Sequence, residues 1–508
     1  MADAVATYNE VAYPTNPNPS SHPDRLAVVA RLMGLEAAGV EGCSYLELGC
    51  GDGMNLIPMA EALPNARFVG VDISASAVAR GQQAIAEIGL TNVTVTQGDI
   101  LKLPGGLGSF DYVVAHGVYS WVPPNVRDAL LKACAAHLAP HGVAYVSYNA
   151  MPGGHIRNMV REMMLFHVRE LTDPAERIAE AKAFLGFILR SGETPYPDAY
   201  RALMLEQAQR VARRSDADLF HDDLAVINDS IHVGQFAGHA SQHGLQFLGE
   251  ADFFEMSPGL FGDEAAAALG DMGERNIVFK EQYLDFLKCR QFRKTLLCRR
   301  EVQLNRAFNA NRLTPLWVSS DATPEGEPGE DGAQTFQSPQ KGALTTANPL
   351  ARAALAVLAA AYPAALRFSA LAQEATAASG EAMTPFKANA SLAEILHAAY
   401  GAGAIELHTT PRHVVAAPGA FPFASACARW QASRGDVVTN LRHEVVEVTS
   451  ANGKALLQLC DGTRDREALV AALAAASQAG DPVEVRAGLA ASMDANLEAL
   501  GRIGLLVR

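Results

Sequence analysis

Apolar and polar positions alternate in short blocks between Ser44 and Asn149. Tyr45-Leu-Glu-Leu48, Phe68-Val-Gly-Val-Asp72, Val93-Thr-Val-Thr-Gln97 and Phe110-Asp-Tyr-Val-Val-Ala115 read as strands. Helix-length segments separate them, which predicts βαβ units and a parallel sheet. From about His155 to Gly244 the apolar period lengthens. Met159, Met163 and Phe166, then Leu219, Leu224 and Ile227, predict a helical block whose methionine stripe serves core or dimer packing. Strand patterns return at residues 245–250 and 292–298, around a helical stretch at 283–287. The block is therefore expected as an insertion, with the sheet closing after it.

Residues 321–347 almost lack large apolar side chains and read as an exposed linker. Beyond it the chain is Ala-rich and helical, in two modules at 348–430 and 431–508. In the first, Ser391-Leu-Ala-Glu394 reads as a capping box opening a helix, followed by strand-like runs at 404–407 and 413–416. In the second, a run at 456–463 precedes a helix at 467–475 and a last helix ending in Gly504-Leu-Leu-Val507. Helices followed by a small hairpin suggest winged-helix character in both. The expected divisions are an arm at 1–43, a sheet at 44–154, the insertion at 155–244, completion of the sheet at 245–320, the linker and the two modules.

The 508 residues, 49% of them apolar, are enough for about three buried cores. A net charge of −14 disfavours coating of nucleic acid or anionic membrane, which needs clustered Lys and Arg. The first residues lack the basic and apolar regions of a signal peptide. Pro363 interrupts the longest apolar run, so no membrane span is expected. Seven scattered cysteines without a CxxC pair predict a reduced, cytoplasmic chain with neither disulfides nor a cysteine zinc site.

The candidate chemistry begins at Tyr45-Leu-Glu-Leu-Gly-Cys-Gly-Asp-Gly53. A strand ends near Glu47, and Gly49, Gly51 and Gly53 turn into a helix. Glycine permits positive φ and close backbone approach to a ligand. A carboxylate here suits an ammonium group and repels a pyrophosphate. The second strand ends in Asp72, placed for both hydroxyls of a ribose. Asp99 follows the third strand, placed to accept from an adenine amino group, with Ile73 and Ile100 to sandwich the purine. His116 follows the fourth, where its carbonyl reaches an amino group. Ammonium, ribose and adenine without pyrophosphate describe S-adenosylmethionine.

At this point residues 45–149 resemble the class I methyltransferases. A closer resemblance covers nearly the whole chain: the arm YNEVAYPTNPNPSSHP, His116-Gly-Val-Tyr-Ser-Trp-Val122, Tyr148-Asn-Ala-Met-Pro-Gly153, Leu219-Phe-His-Asp-Asp-Leu224, and 283–287 through 292–297. These are similar to methyltransferases with a regulatory middle domain and a winged-helix C-terminus, among them the rickettsial outer-membrane-protein lysine methyltransferases. The resemblance implies an α/β, Rossmann-like class I methyltransferase sheet with a helical insertion and C-terminal α+β winged-helix modules. It implies in-line methyl transfer to a protein lysine, and a lid arm that brings Tyr13 and His22 over the cofactor. Relatives often have Trp where Gly154 stands, so a more open wall is expected there.

A lysine acceptor must lose a proton from a group whose ordinary pKa is near 10.4. An apolar aromatic channel favours the neutral amine, and Tyr8, Tyr13, Tyr119 and Trp121 are the candidates to line it. His116 is a candidate base, with capping or packing as the alternative. No histidine pair has metal spacing supported by nearby acids, so no metal is expected. His116-Gly-Val-Tyr119 replaces the Asn/Asp-Pro-Pro-aromatic tetrapeptide of base amino methylation, so a nucleic-acid substrate is not expected. Two other readings stand beside the lysine one: methylation of a small molecule or natural product, and a cofactor-sensing scaffold that binds a peptide. The apolar stripe of the insertion is compatible with a homodimer.

Overall fold

The computed structural model describes residues 15–192, 198–259, 261–339, 342–476 and 482–507. Eight strands form its main sheet: β1 (Ser44–Leu48), β2 (Arg67–Asp72), β3 (Val93–Gln97), β4 (Phe110–Ala115), β5 (Leu138–Ala150), β6 (Ser230–Ile231), β7 (Leu245–Glu250) and β8 (Phe292–Arg299). The order is β3-β2-β1-β4-β5-β8-β7, with β6 pairing off this path with the end of β5. β1 to β5 pair in parallel, and β8 is antiparallel to both β5 and β7. Strands covered on both faces can be apolar throughout, as Tyr45, Leu46 and Leu48 are, all fully buried.

Helices α1 (Pro23–Leu32), α2 (Leu56–Ala62), α3 (Ala75–Ile88) and α4 (Pro124–His137) flank this sheet. Local sequence sets their ends. Ser74 caps α3 by accepting from the Ala77 amide, and Gly89 closes it at φ +84°. Burying Leu26, Val28, Val29 and Leu32 anchors α1, each side chain contributing about 1.5–3 kcal/mol.

The insertion contains α5 (Gly153–His167), α6 (Pro174–Arg190) and α7 (Asp198–Ala212), around a core of its own that includes Val160, Met164 and Leu185. Met159 and Met163 pack on that core, while Phe166 is 69% exposed beneath the Arg169 guanidinium. The chain then re-enters the main sheet around α8 (Val233–Gln242), α9 (Asp263–Arg275) and α10 (Ile277–Lys288). Arg293 on β8 is fully buried and is held by Glu250 of β7 and by Glu281 and Asp285 of α10. Three carboxylates around one guanidinium lock α10 and β7 to β8. An uncompensated charge in that place would cost several kcal/mol.

The expected linker is a folded element. It carries β10 (Thr323–Glu325), β11 (Gln334–Gln337) and β12 (Ala343–Thr346), an antiparallel sheet that follows β9 (Trp317–Ser319). Phe336 is 3% exposed and Leu344 packs against the same core. A sheet with one covered face needs few apolar residues, which is why composition missed it. The next module contains α11 (Pro349–Ala361), α12 (Phe368–Ser379), α13 (Pro385–Gly401), β13 (Leu366–Arg367) and β14 (Glu406–His408), and β9 is the central strand of its sheet. Ser391 does not open a helix, because α13 already starts at Pro385 behind the cap Thr384. Residues 413–416 form no strand; the Val415 amide instead donates to the Leu506 carbonyl at 3.2 Å.

The last module combines α14 (Ala426–Ala432), the hairpin β15 (Val437–Thr439) and β16 (Val445–Glu447), α15 (Ala451–Leu459), α16 (Arg466–Ala476) and α17 (Pro482–Arg502). The expected run at 456–463 is therefore the end of a helix and its turn. The module docks on α2 and α3. The Glu61 carboxylate accepts from the Cys427 amide at 2.8 Å, the Trp430 indole N–H donates to Glu87 at 2.7 Å, and Cys427 packs on Ile57 and Ala84. No helix of the described residues is long and apolar enough to cross a membrane.

Candidate cofactor and acceptor site

The turn after β1 holds Gly49, Gly51 and Gly53 at φ +79°, +57° and +77°. Side chains strain that region of backbone space, and here space is also short: a Cβ on Gly51 would lie 2.3 Å from Thr15 Cγ2. Thr15 also bonds Asp52, so the described end of the N-terminal arm lies across the turn. Asp72 closes the turn from β2, accepting from the Gly51 and Ser74 amides, each at 2.8 Å. Burial raises its carboxyl above the ordinary range, against those hydrogen bonds. Asp99 follows β3, partly exposed, with Oδ1 accepting from the Leu101 amide at 2.9 Å. Ile73 and Ile100 are half-buried beside these acids, and the Ile73 carbonyl accepts from Gln97 at 3.2 Å. All of these residues stand at the C-terminal edge of the parallel strands, where open α/β sheets bind ligands.

Glu47 is 4% exposed, and burial pushes its carboxyl up to about 8, with Asp72 adding repulsion. The Asn55 amide relieves it with hydrogen bonds at 3.1 and 3.2 Å. Asn55 Oδ1 in turn accepts from the Asn18 amide at 2.8 Å and meets His443 Nε2 at 2.9 Å. One side-chain amide thus joins the main sheet, the arm and the last module. The sequence gives Asn55 no marked role and offers no local signal for His443, whose φ is left-handed at +62°.

His116 sits at the end of β4. Its Nδ1 meets Tyr145 Oη at 3.0 Å and Asn18 Nδ2 at 3.1 Å, and its ring stands edge-on to Phe292. Burial, with the positive charge of Lys294, pulls its pKa down to about 4. The imidazole is therefore neutral near pH 7. Asn18 and Tyr145 were not singled out in the sequence, although Asn18 lies in the quoted arm and Tyr145 in the run of β5.

The other candidates separate. Tyr119 is 4% exposed, its hydroxyl lies 2.7 Å from His239 Nδ1, and its ring packs on Phe236 and Tyr148. That is a core position, not the wall of an open channel. Trp121 is half-buried, and its Nε1 is buried with no hydrogen-bond partner among the described residues. His22 caps α1 by accepting from the Asp24 amide, and its ring stands 5.5 Å from that of His443. It lines a cavity of about 590 Å³ between α1, α2 and the last module, so the structure gives it an interdomain role. Tyr8 and Tyr13 lie outside the described residues. The expected open wall at Gly154 is absent. A Cβ there would come within 2.4 Å of Ser230 Cβ, because β6 crosses at that point.

Carboxylates at the strand ends, a tight glycine turn and a neutral histidine fit an ammonium, a ribose and an adenine. Residues 46–142 match the family pattern of a methyltransferase domain, 215–299 that of a predicted methyltransferase regulatory domain, and 421–500 that of a PKMT C-terminal winged helix domain. The uncharacterised protein RP789 of Rickettsia prowazekii (strain Madrid E) is 31% identical over 499 residues, 95% of this chain and 88% of RP789. RP028 of the same organism is 34% identical over 245 residues, 48% of this chain and 96% of RP028. The structure of PKMT2 from Rickettsia typhi in complex with AdoHcy superposes with a TM-score of 0.86 at 27% identity, covering 98% of this chain and 100% of that one.

Proposed function

The chain belongs to the RP789 family of S-adenosylmethionine-dependent methyltransferases, with regulatory and PKMT winged-helix domains, and from that premise we propose that it methylates lysine side chains of a protein. The observation that carries this reading is the likeness to PKMT2, which covers 98% of the chain and so extends past the methyltransferase domain through both C-terminal modules. A surface feature supports a polypeptide-sized acceptor. On α10, Phe279, Tyr283, Phe286 and Leu287 are exposed at helical spacing, and the Phe286 ring packs on His232. His232 follows β6, whose Ile231 pairs with Ala150 at the C-terminal end of β5. An apolar stripe thus leads to the edge where the acceptor must enter.

In this reading Asp72 accepts from the ribose hydroxyls, Glu47 faces the ammonium, Asp99 takes the adenine amino group, and Ile73 and Ile100 cover the purine. Gly49, Gly51 and Gly53 give the backbone room to approach. When bound, S-adenosylmethionine supplies a methyl group already activated on a sulfonium. The residues of the chain then have two tasks: to align the amine and to strip its water. His116 is a positioning residue. With a pKa of about 4 it cannot hold a proton taken from an ammonium near pH 7, so the lysine arrives neutral, its pKa lowered by desolvation. Asn18 and Tyr145 fix the imidazole at the acceptor edge, and the Trp121 indole N–H, without a partner among the described residues, stands in the 3-10 turn that follows.

The test of acceptor class is transfer of labelled methyl groups into a lysate, separated into macromolecular and small-molecule fractions. Label in protease-sensitive material is expected. Label confined to metabolites overturns the protein reading, and label lost on nuclease treatment points to nucleic acid.

A further inference from the structure

Away from the strand ends, α4 and α8 bring three metal-ligating side chains together. His239 and His243 stand one helical turn apart on and just after α8, facing Asp128 of α4. His243 Nε2 lies 2.9 Å and His239 Nε2 3.4 Å from Asp128 Oδ1, and the three ligand atoms all fall within 4.8 Å of one another. Ligand atoms at about 2.0–2.1 Å from a tetrahedral zinc stand roughly 3.3 Å apart, a spacing that the two distances to Asp128 already approach. We propose that Asp128, His239 and His243 bind one zinc ion, with water in the fourth position.

The surroundings favour this over a plain hydrogen-bond cluster. His239 Nδ1 lies 2.7 Å from the Tyr119 hydroxyl. Donating Nδ1–H to Tyr119 leaves the Nε2 lone pair directed at the site, and such a second hydrogen bond is what fixes a metal-binding imidazole. The side chains of His239 and His243 are 22% and 15% exposed, whereas Asp128 is 55% exposed, which gives the ion an entry path and water access. Arg127, next to Asp128 in sequence, is committed to the Val122 carbonyl and to Asp229. Histidines at i and i+4 are readable in a sequence, but Asp128 lies 111 residues before His239, so a search for nearby acids passes over it. Bound zinc would clip α4 to α8 and, through Tyr119, steady the segment that follows β4.

The test uses untagged full-length protein, stripped with EDTA, dialysed against micromolar Zn2+ and desalted, with zinc measured by plasma mass spectrometry. One zinc per chain is expected for the wild type, and less than a tenth of that for D128N and for H239A/H243A. D128N changes an exposed side chain and keeps the fold testable. H137A, which alters a histidine outside the triad, should retain zinc. Cobalt in place of zinc should show intense visible bands in the wild type that vanish in D128N. Wild-type protein without zinc, or D128N and H239A/H243A with as much as the wild type, overturns the proposal.

Discussion

Replacing Asp72 tests the proposed ribose contact. A carboxylate offers about four lone-pair positions. The Gly51 and Ser74 amides occupy two of these, each at 2.8 Å. The Ile73 backbone also hydrogen-bonds this carboxylate, and the acceptor capacity that remains is what the ribose hydroxyls would use. A hydrogen bond to a charged group contributes about 1.5–3 kcal/mol, so losing two costs about 3–6 kcal/mol of binding. Asp72 is only half-buried, which favours the lower end, about a 100-fold weaker Kd at ~1.4 kcal/mol per decade. Asp72→Ala also strands the two amides, so Asp72→Asn, which keeps one acceptor oxygen, is the companion variant. Isothermal titration with S-adenosylhomocysteine reads the affinity, and urea unfolding confirms that each variant is folded. A folded Asp72→Asn or Asp72→Ala protein that binds within threefold of wild type would refute the assignment.

Three further outcomes follow from the geometry. Glu47, raised to about 8, is largely protonated at pH 7 without cofactor, so an incoming ammonium should expel its proton. Titration in buffers of different ionisation enthalpy should show proton release by wild type that Glu47→Gln lacks; equal release by both contradicts the ion pairing. His22 and His116, each lowered to about 4, stay neutral in the fold while the unfolded chain takes up protons below about 6.5. Stability should therefore fall from pH 6.5 toward 4. His22→Asn and His116→Asn should each reduce the slope by about one proton, measured against wild type so that the opposing Glu47 contribution cancels. Gly154→Ala should lower stability by about 1–3 kcal/mol because its Cβ meets Ser230, and adding Ser230→Gly should recover most of the loss in chemical denaturation. No recovery would mean that the contact between α5 and β6 is not the cause.

The parallel sheet was legible because strands such as Tyr45–Leu48 and Phe110–Ala115 must be apolar on both faces, and the glycine turn because positive φ leaves few residue choices. The folded 321–347 segment was not legible, since Phe336 and Leu344 suffice to cover one face of a short sheet. Tyr119 was misplaced because an aromatic after β4 can face a channel or a core, and only the position of Phe236 and His239 on α8 decides between them. Asn55 meets Asn18 across 37 residues and His443 across 388, so their network exists only in the fold. The depressed pKa of His116 belongs to that same class, for it follows from burial and from Lys294 rather than from neighbours in sequence.

The most direct measurement is residue-level analysis of the methyl product. Purified protein, S-adenosylmethionine and the protein fraction that accepts label would be incubated, and the labelled polypeptides hydrolysed to amino acids and sequenced as peptides. Lysine methylation predicts methyllysine as the labelled residue, with S-adenosylhomocysteine formed in equal amount. Label recovered on another side chain, or cofactor bound without formation of S-adenosylhomocysteine, would contradict it.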